Sequence, residues 1–169
     1  MADRPAVPDR PDLPVIEVLD ELRAALIDGT NAVLVAPPGA GKTTVVPLAL
    51  LDQPWLRDQR IVMLEPRRLA TRAAAQRMST TTRTSIGALV GYQTRDEREI
   101  TSTTRIEVVT EGVLTRRLQN DPELPGIGAV IFDEIHERNL TLTLTVDTIT
   151  GGNRERDLHT GFTTPPRLT

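Results

Sequence analysis

Short apolar runs rich in branched residues alternate with helical patterns along most of the chain, and this alternation limits the possible folds more than any other feature. The first run is "AVLVA" at residues 32–36, which is apolar on both faces, as in a strand buried within a parallel sheet. Further strands are predicted at residues 60–66, 104–110 and 128–134. Strands that alternate with helices indicate an α/β domain with a mostly parallel sheet covered on both faces.

Helical patterns fill the segments between these strands. Apolar residues recur at three- and four-residue spacing over residues 15–27, which predicts an amphipathic helix. Helices are also predicted at residues 43–51, 67–78 and 111–119. Ligands of such folds bind beyond the carboxyl ends of the strands, so the residues that follow each strand are the first candidates for a functional site.

Length and composition predict one domain that resides in the cytoplasm. A chain of 169 residues with 38% hydrophobic content can build one core. The net charge of −3 argues against a protein that coats nucleic acid by bulk charge, and the absence of cysteine excludes disulfides and cysteine-based metal sites. Neither a membrane span nor the apolar core of a signal peptide is evident, so no membrane partner is expected.

Three regions are expected along the chain. Residues 1–13 are rich in proline and charge and predict a disordered tail. Residues 14–150 are expected to form the domain. Residues 151–169 are predicted to be an irregular tail.

A glycine-rich turn follows the first predicted strand. Its sequence, "APPGAGKT" at residues 36–43, contains Lys42, the only lysine of the chain. In phosphate-binding loops of the pattern GxxxxGK[ST], backbone amides wrap the phosphates, the lysine reaches the terminal ones and the hydroxyl binds Mg²⁺. Gly41, Lys42 and Thr43 fit this pattern, whereas Ala36 replaces its leading glycine. Because a buried strand and a helix start flank the turn, we predict a phosphate-binding loop rather than an ordinary solvated turn.

Two carboxylates follow the last predicted strand. They belong to Asp133 and Glu134, and His136 comes two residues later. In P-loop NTPases, an acid at the end of a buried strand holds Mg²⁺ together with the loop hydroxyl, and a neighbouring polar residue orients the attacking water. Two acids at a strand end are by themselves most often solvated. The loop upstream favours the catalytic interpretation.

Five motifs in a fixed order carry a family resemblance. They are "APPGAGKTT", "LEPRRLATRAAAQRM", "VGYQTR", "VVTEGVLTRRL" and "IFDEIHER". Together they resemble the first RecA-like domain of DEAH-box ATP-dependent helicases, with a particular likeness to the HrpB-like branch. The resemblance spans residues 14–147 and implies a P-loop NTPase with a RecA-like three-layer fold and a sheet that is incomplete at the C-terminus.

The resemblance also implies roles for the loop and the acid motif. Lys42 and Thr43 are expected to bind the β/γ-phosphates and Mg²⁺ of a bound ATP. Asp133 is expected on the Mg²⁺ side of the site, and Glu134 is expected to act as the base or to position the water. His136 is expected to link the nucleotide to a partner domain. The sequence spells DEIH where the family name has DEAH.

Further residues are implied around the nucleotide and along a nucleic-acid strand. The residues expected at the nucleotide are Pro38, Gly39, Ala40, Gly41, Lys42, Thr43, Thr44 and Arg77, the last against the adenine face. The residues expected at single-stranded nucleic acid, RNA in preference to DNA, are Arg67, Arg68, Thr110, Glu111 and Gly112. Arginines at a helix start suit phosphate oxygens. We expect Arg72, Arg116 and Arg117 to lie on solvated helix faces instead.

Parts of the family pattern are not found in the sequence. The Ser-Ala-Thr segment and the second RecA-like domain with its arginine finger do not occur before Thr169. Since such a finger contributes about 10³–10⁵ in turnover, this chain is expected to hydrolyse NTP slowly or undetectably. Unwinding needs two domains that close and open on the strand, so the chain is not expected to unwind duplexes alone. Residues 140–150 alternate Leu and Thr like a strand, but the family places a helix there, and a helix is expected.

Two other functions remain open from the sequence. One is a non-hydrolysing nucleotide-binding module that regulates a partner. The other is a small-molecule P-loop kinase, against which the ordered motifs argue. Nucleic-acid-stimulated hydrolysis distinguishes the helicase interpretation from both.

Overall fold

The computed structural model describes residues 13–28, 31–133 and 159–164, the last of these as backbone only. A 3₁₀ helix, Pro14–Val18, leads into the first α-helix. The α-helices are α1 (Leu19–Asp28), α2 (Lys42–Leu50), α3 (Arg68–Thr81) and α4 (Glu111–Asn120). The strands are β1 (Asn31–Val35), β2 (Arg60–Leu64), β3 (Val90–Gln93), β4 (Arg98–Glu99), β5 (Ile106–Val109), β6 (Ile127–Phe132) and β7 (His159–Thr164).

The strands form one sheet with the order β1-β7-β6-β2-β5-β3-β4. All neighbours pair in parallel except β3 and β4, which form an antiparallel hairpin. The predicted α/β class with a mostly parallel sheet is therefore confirmed. Because β2 pairs with both β5 and β6, the carboxyl ends of these three strands lie side by side at one edge of the sheet.

Two hydrophobic clusters fill the two faces of the sheet. On β2, Ile61 and Met63 belong to the larger cluster, which includes apolar residues of α1, α2 and α3. Val62 and Leu64 belong to the smaller cluster, which contains Leu114 of α4. Successive side chains of a strand point to opposite faces, so an unbroken apolar run such as β2 supports a helix layer on each side.

The first strand departs from its prediction. Leu34 is buried, but Val33 and Val35 are 65% and 57% exposed, so β1 is not buried on both faces. The reason is its place in the sheet. The smaller cluster takes its strand residues from β2, β5 and β6, and β1 lies beyond β7 from these strands.

The C-terminal prediction is wrong in part. Residues 159–164 form β7, parallel to both of its neighbours, although the whole of 151–169 was expected to be irregular. A strand in this position forms its hydrogen bonds with β1 and β6, which come from other parts of the chain. Its formation therefore cannot be predicted from the local sequence pattern. Of the tail predicted at 1–13, residues 1–12 lie outside the described residues, and Leu13 packs against the larger cluster instead of belonging to a disordered tail. The helix expected at 140–150 also lies outside the described residues.

Candidate nucleotide and nucleic-acid sites

The glycine-rich turn forms a tight loop between β1 and α2. Gly39 and Gly41 adopt φ angles of 76° and 93°, a left-handed backbone that favours glycine. A β-carbon on Gly41 would also lie 3.0 Å from Leu13 Cδ1 and 3.3 Å from Val15 Cγ1. Gly41 is the N-cap of α2, and no side chain caps that helix. The first backbone N–H groups of α2 therefore remain available to an anion.

Lys42 is held at this loop by carbonyl groups of its own turn. The side chain is buried, and its Nζ donates hydrogen bonds to the carbonyl oxygens of Ala36 at 2.5 Å and Pro37 at 3.2 Å. An ammonium group has three N–H donors, so these two bonds leave one for a ligand. Its compact point charge suits a site between phosphate oxygens better than a planar guanidinium would.

The loop meets the acid motif through Thr43. Asp133 follows β6 directly, is 1% exposed, and accepts a hydrogen bond from Thr43 Oγ1 at its carboxylate Oδ2. The Asp133 backbone N–H donates to the carbonyl of Leu64 at 3.1 Å, which fixes the residue at the end of the sheet. The structure therefore brings together two motifs that are 90 residues apart.

A hydroxyl and a carboxylate are oxygen donors of the kind that Mg²⁺ prefers. No cluster of three or more His, Cys, Asp or Glu side chains suited to a metal occurs in the described ranges. Magnesium in nucleotide sites is typically held by one or two carboxylates together with substrate phosphates. The pair formed by Thr43 and Asp133 thus fits this ion.

A cavity of about 780 Å³ opens beside the loop. It is lined by the loop from Pro38 to Thr44 and by one side of α3, including Arg77. The sequence prediction had placed Arg77 at the nucleotide, and the structure puts it across this cavity from the loop. Gln76, Thr80 and Leu13 also line the cavity, and sequence reasoning did not name them.

The residues expected at nucleic acid gather at two helix starts. Arg67 is the N-cap of α3 and Arg68 its first residue, just after β2. Thr110 is the N-cap of α4, followed by Glu111 and Gly112, just after β5. Because β2 and β5 are adjacent and parallel, both helix starts lie at the edge of the sheet that also carries Asp133.

The hairpin of β3 and β4 pairs with α3 through charges. Arg68 Nη1 lies 2.7 Å from Asp96 Oδ2, and Arg72 Nη1 lies 3.6 Å from Glu97 Oε1. Both pairs are exposed, and each is worth about 0–1 kcal/mol. Arg72 is 56% exposed, in line with the solvated face that was expected. Sequence reasoning did not anticipate either acidic partner.

Tyr92 of β3 forms a hydrogen bond within the same hairpin, to Glu97 in the turn before β4. Its hydroxyl donates a hydrogen bond to Glu97 Oε2 at 3.0 Å. Burial, and then this hydrogen bond, raise the pKa of Tyr92 above its ordinary value of 10.0. The folded state therefore favours the protonated phenol, and its contribution to stability is lost only when the pH rises above about 10.

A second cavity, of about 440 Å³, lies next to Thr110 and Gly112. Arg95, Arg116 and Arg117 also line it, and Arg116 is exposed as expected. The expectation of a solvated Arg117 is wrong. Its side chain is 26% exposed, and its Nη1 lies 2.7 Å from the buried carboxylate of Glu107. Glu134 and His136 lie outside the described residues.

A model of the DEAD/DEAH box helicase family matches residues 19–142. The chain belongs to this family, as the order of its motifs predicted.

Within the family, the chain is similar to HrpB helicases in both sequence and structure. The chain is 51% identical over 132 residues to the ATP-dependent RNA helicase HrpB of Escherichia coli, which covers 78% of this chain and 16% of that protein. It is 39% identical over 131 residues to the ATP-dependent RNA helicase DHX33 of Mus musculus, covering 78% and 19%. The crystal structure of the E. coli DEAH/RHA helicase HrpB superposes with a TM-score of 0.87 at 43% identity, over 94% of this chain and 20% of that one.

The chain therefore spans about a fifth or less of the length of these relatives. Within the described residues, no helix has both the length and the apolar character that crossing a membrane requires.

Proposed function

We propose that this chain is the ATP-binding, first RecA-like domain of a DEAH-type RNA helicase, which couples NTP hydrolysis to binding of single-stranded RNA in the cytoplasm. The hydrogen bond between Thr43 and Asp133 carries the proposal, because it joins the phosphate loop to the acid motif at one edge of the sheet. The relatives named as ATP-dependent RNA helicases support the choice of ATP and RNA.

The proposed roles follow from the geometry of each group. Lys42 and the free N–H groups at the start of α2 bind the phosphates, and Thr43 and Asp133 hold Mg²⁺. A metal ion held by Thr43 and Asp133 would neutralise charge that develops on the phosphates. Arg77 contacts the base from α3. Glu134 positions the attacking water, as its place in the acid motif suggests.

Arg67, Arg68 and the start of α4 bind the phosphates of the strand without reading its sequence. Unwinding requires a second RecA-like domain that closes on nucleotide and strand, so we propose such a domain as the partner. The arginine finger is proposed to come from it as well.

The central experiment measures phosphate release with and without single-stranded RNA. We expect slow basal release that RNA increases, and loss of release in both Lys42→Ala and Glu134→Gln. The two variants separate binding from chemistry, because Glu134→Gln keeps the phosphate-binding groups and should retain nucleotide. If the chain binds nucleotide but releases no phosphate under any condition, the regulatory module is favoured. If RNA does not change the rate of phosphate release, the helicase assignment is contradicted.

Replacing Asp96 with asparagine is expected to strengthen RNA binding about two- to fivefold at low salt. The carboxylate of Asp96 occupies Arg68 at 2.7 Å and would compete with a phosphate for the same guanidinium. The limit follows from the strength of exposed pairs, about 0–1 kcal/mol. Fluorescence anisotropy with a labelled oligouridylate measures the change, with Asp52→Asn as a control of equal charge away from both helix starts. An unchanged affinity would contradict the expected competition between Asp96 and a phosphate for Arg68.

A further inference from the structure

Glu107 of β5 is a buried carboxylate that two arginines neutralise. Its side chain is 3% exposed, Arg60 Nη1 donates to Oε1 at 2.6 Å, and Arg117 Nη1 lies 2.7 Å from Oε2. Arg60 belongs to β2, which precedes β5 in the chain, and Arg117 belongs to α4, which follows it. An arginine paired in this way with a buried charge is fixed in place, because leaving would strand that charge in the interior.

Arg117 uses a second nitrogen to hold Gln93. Its Nη2 donates to Gln93 Oε1 at 2.8 Å, and Gln93 is the last residue of β3, level with Val109 of β5. Because Arg117 can only donate, the oxygen of the Gln93 amide must be the atom that faces it. The amide NH₂ group, with two N–H donors, is thereby left on the other side. Within the described part of the chain, the Gln93 side chain makes its hydrogen bond through Oε1, and this NH₂ group donates none.

Gln93 lines the cavity of about 440 Å³ beside Thr110 and Gly112. Among the described residues, three arginines line this cavity and no acidic residue does. Glu107 brings one negative charge against the two positive charges of Arg60 and Arg117, and no described residue forms an ion pair with Arg95 or Arg116, so the net charge around this cavity is positive. A cavity with this balance favours an anionic ligand that accepts hydrogen bonds.

We propose that Gln93 contacts the RNA strand by donating an amide N–H to a backbone phosphate oxygen, and that Arg117 is the positioning residue that orients this amide. The inference rests on the proposed RNA-binding function and adds a contact beyond the two helix starts. Arg117 touches no RNA in this arrangement. It acts by occupying the amide oxygen, so that only the donor end of Gln93 faces the strand.

Gln93→Glu is the most informative substitution. A carboxylate at this position can pair with Arg117, so we expect the thermal midpoint of unfolding to stay the same or to rise. The same carboxylate removes the donor and repels phosphate, so RNA affinity is expected to fall about tenfold. Gln93→Ala removes the donor without adding repulsion and is expected to cost about threefold. Both affinities are measured by anisotropy with a labelled oligouridylate, over a series of salt concentrations.

The control for added charge is Gln119→Glu, which places the same charge on an exposed position of α4 outside the cavity lining. It is expected to change RNA affinity less than twofold at moderate salt, because salt screens an exposed charge that lies outside the cavity. Arg117→Lys tests positioning. Lysine keeps a charge for Glu107 but lacks the fork that reaches two acceptors, so RNA affinity should fall as in Gln93→Ala while the fold persists.

The outcomes separate this inference from the proposed function. The inference is overturned if Gln93→Glu binds RNA as tightly as the wild type while a double Arg67→Ala, Arg68→Ala variant loses affinity. It is also overturned if Gln119→Glu weakens binding as much as Gln93→Glu does, since the effect would then be one of net charge. If the wild type binds no RNA at any salt concentration, the proposed function and the inference fail together.

Discussion

Lys42→Ala is expected to raise the dissociation constant of Mg·ATP by about two orders of magnitude. The ammonium is fixed at the mouth of the loop by two carbonyl groups, and it is the single lysine of the chain. A hydrogen bond to a charged group contributes about 1.5–3 kcal/mol, so losing the one N–H that the ammonium has left for the phosphates accounts, at the upper end of this range, for a change of this size. Equilibrium titration with a fluorescent ATP analogue measures it.

Two companion variants sharpen this experiment. Lys42→Arg keeps the charge but places a planar guanidinium in a loop shaped for a compact ammonium, and it should bind almost as poorly as the alanine variant. Asp133→Asn should retain weak binding that no longer depends on Mg²⁺, whereas EDTA should weaken the wild type. Binding by Lys42→Ala that equals the wild type, with the fold intact by circular dichroism, would exclude this loop as the phosphate site.

Glu107→Ala is expected to lower the free energy of unfolding by about 3 kcal/mol. The substitution leaves Arg60 and Arg117 without their shared partner, and breaking a buried ion pair typically costs about 3–5 kcal/mol. The lower end applies because the two arginine side chains are 36% and 26% exposed and can turn toward water. Urea unfolding measures the change, and its slope should stay the same because the buried surface is similar.

Glu99→Ala provides the matched control for this variant. Glu99 lies on β4 at the edge of the sheet and is exposed, so its removal should change stability by less than about 0.5 kcal/mol. Glu107→Ala should also weaken RNA binding, because Arg117 then no longer has a fixed position from which to hold Gln93. A loss of stability in the alanine variant no greater than that in Glu99→Ala would mean that the two arginines are not bound to a common buried charge.

The sheet and its helices followed closely from local patterns. The run at residues 60–66 predicted β2, and the pattern at 67–78 predicted α3, because an unbroken apolar strand and an amphipathic helix each have a period that the sequence displays directly. The neighbouring β3 and the two-residue β4 show no comparable hydrophobic periodicity, and neither strand was predicted from the sequence. Their pairing depends on β5, which supplies the other partner of β3.

The candidate nucleotide site was also accessible to sequence reasoning. The loop around Lys42 and the acid at Asp133 each carry a chemical pattern, and their placement after strands predicted that they would meet. The structure joins them through Thr43. The roles of Glu134 and His136 remain predictions from the acid motif, since both lie outside the described residues.

Local sequence patterns were enough to predict the α/β class, the glycine-rich loop and the order of the family motifs, because each of these depends on residues that are close together in the chain. The exposure of Val33 and Val35, and the strand that residues 159–164 add between β1 and β6, follow from the three-dimensional arrangement and were not predictable from local patterns. The three-dimensional arrangement also places the Arg117 side chain against Glu107 and Gln93 and not on a solvated helix face. These outcomes depend on which strands become neighbours. Strand order is set by pairing and burial between segments that are far apart in the chain. The local periodicity of the sequence carries no information about these contacts.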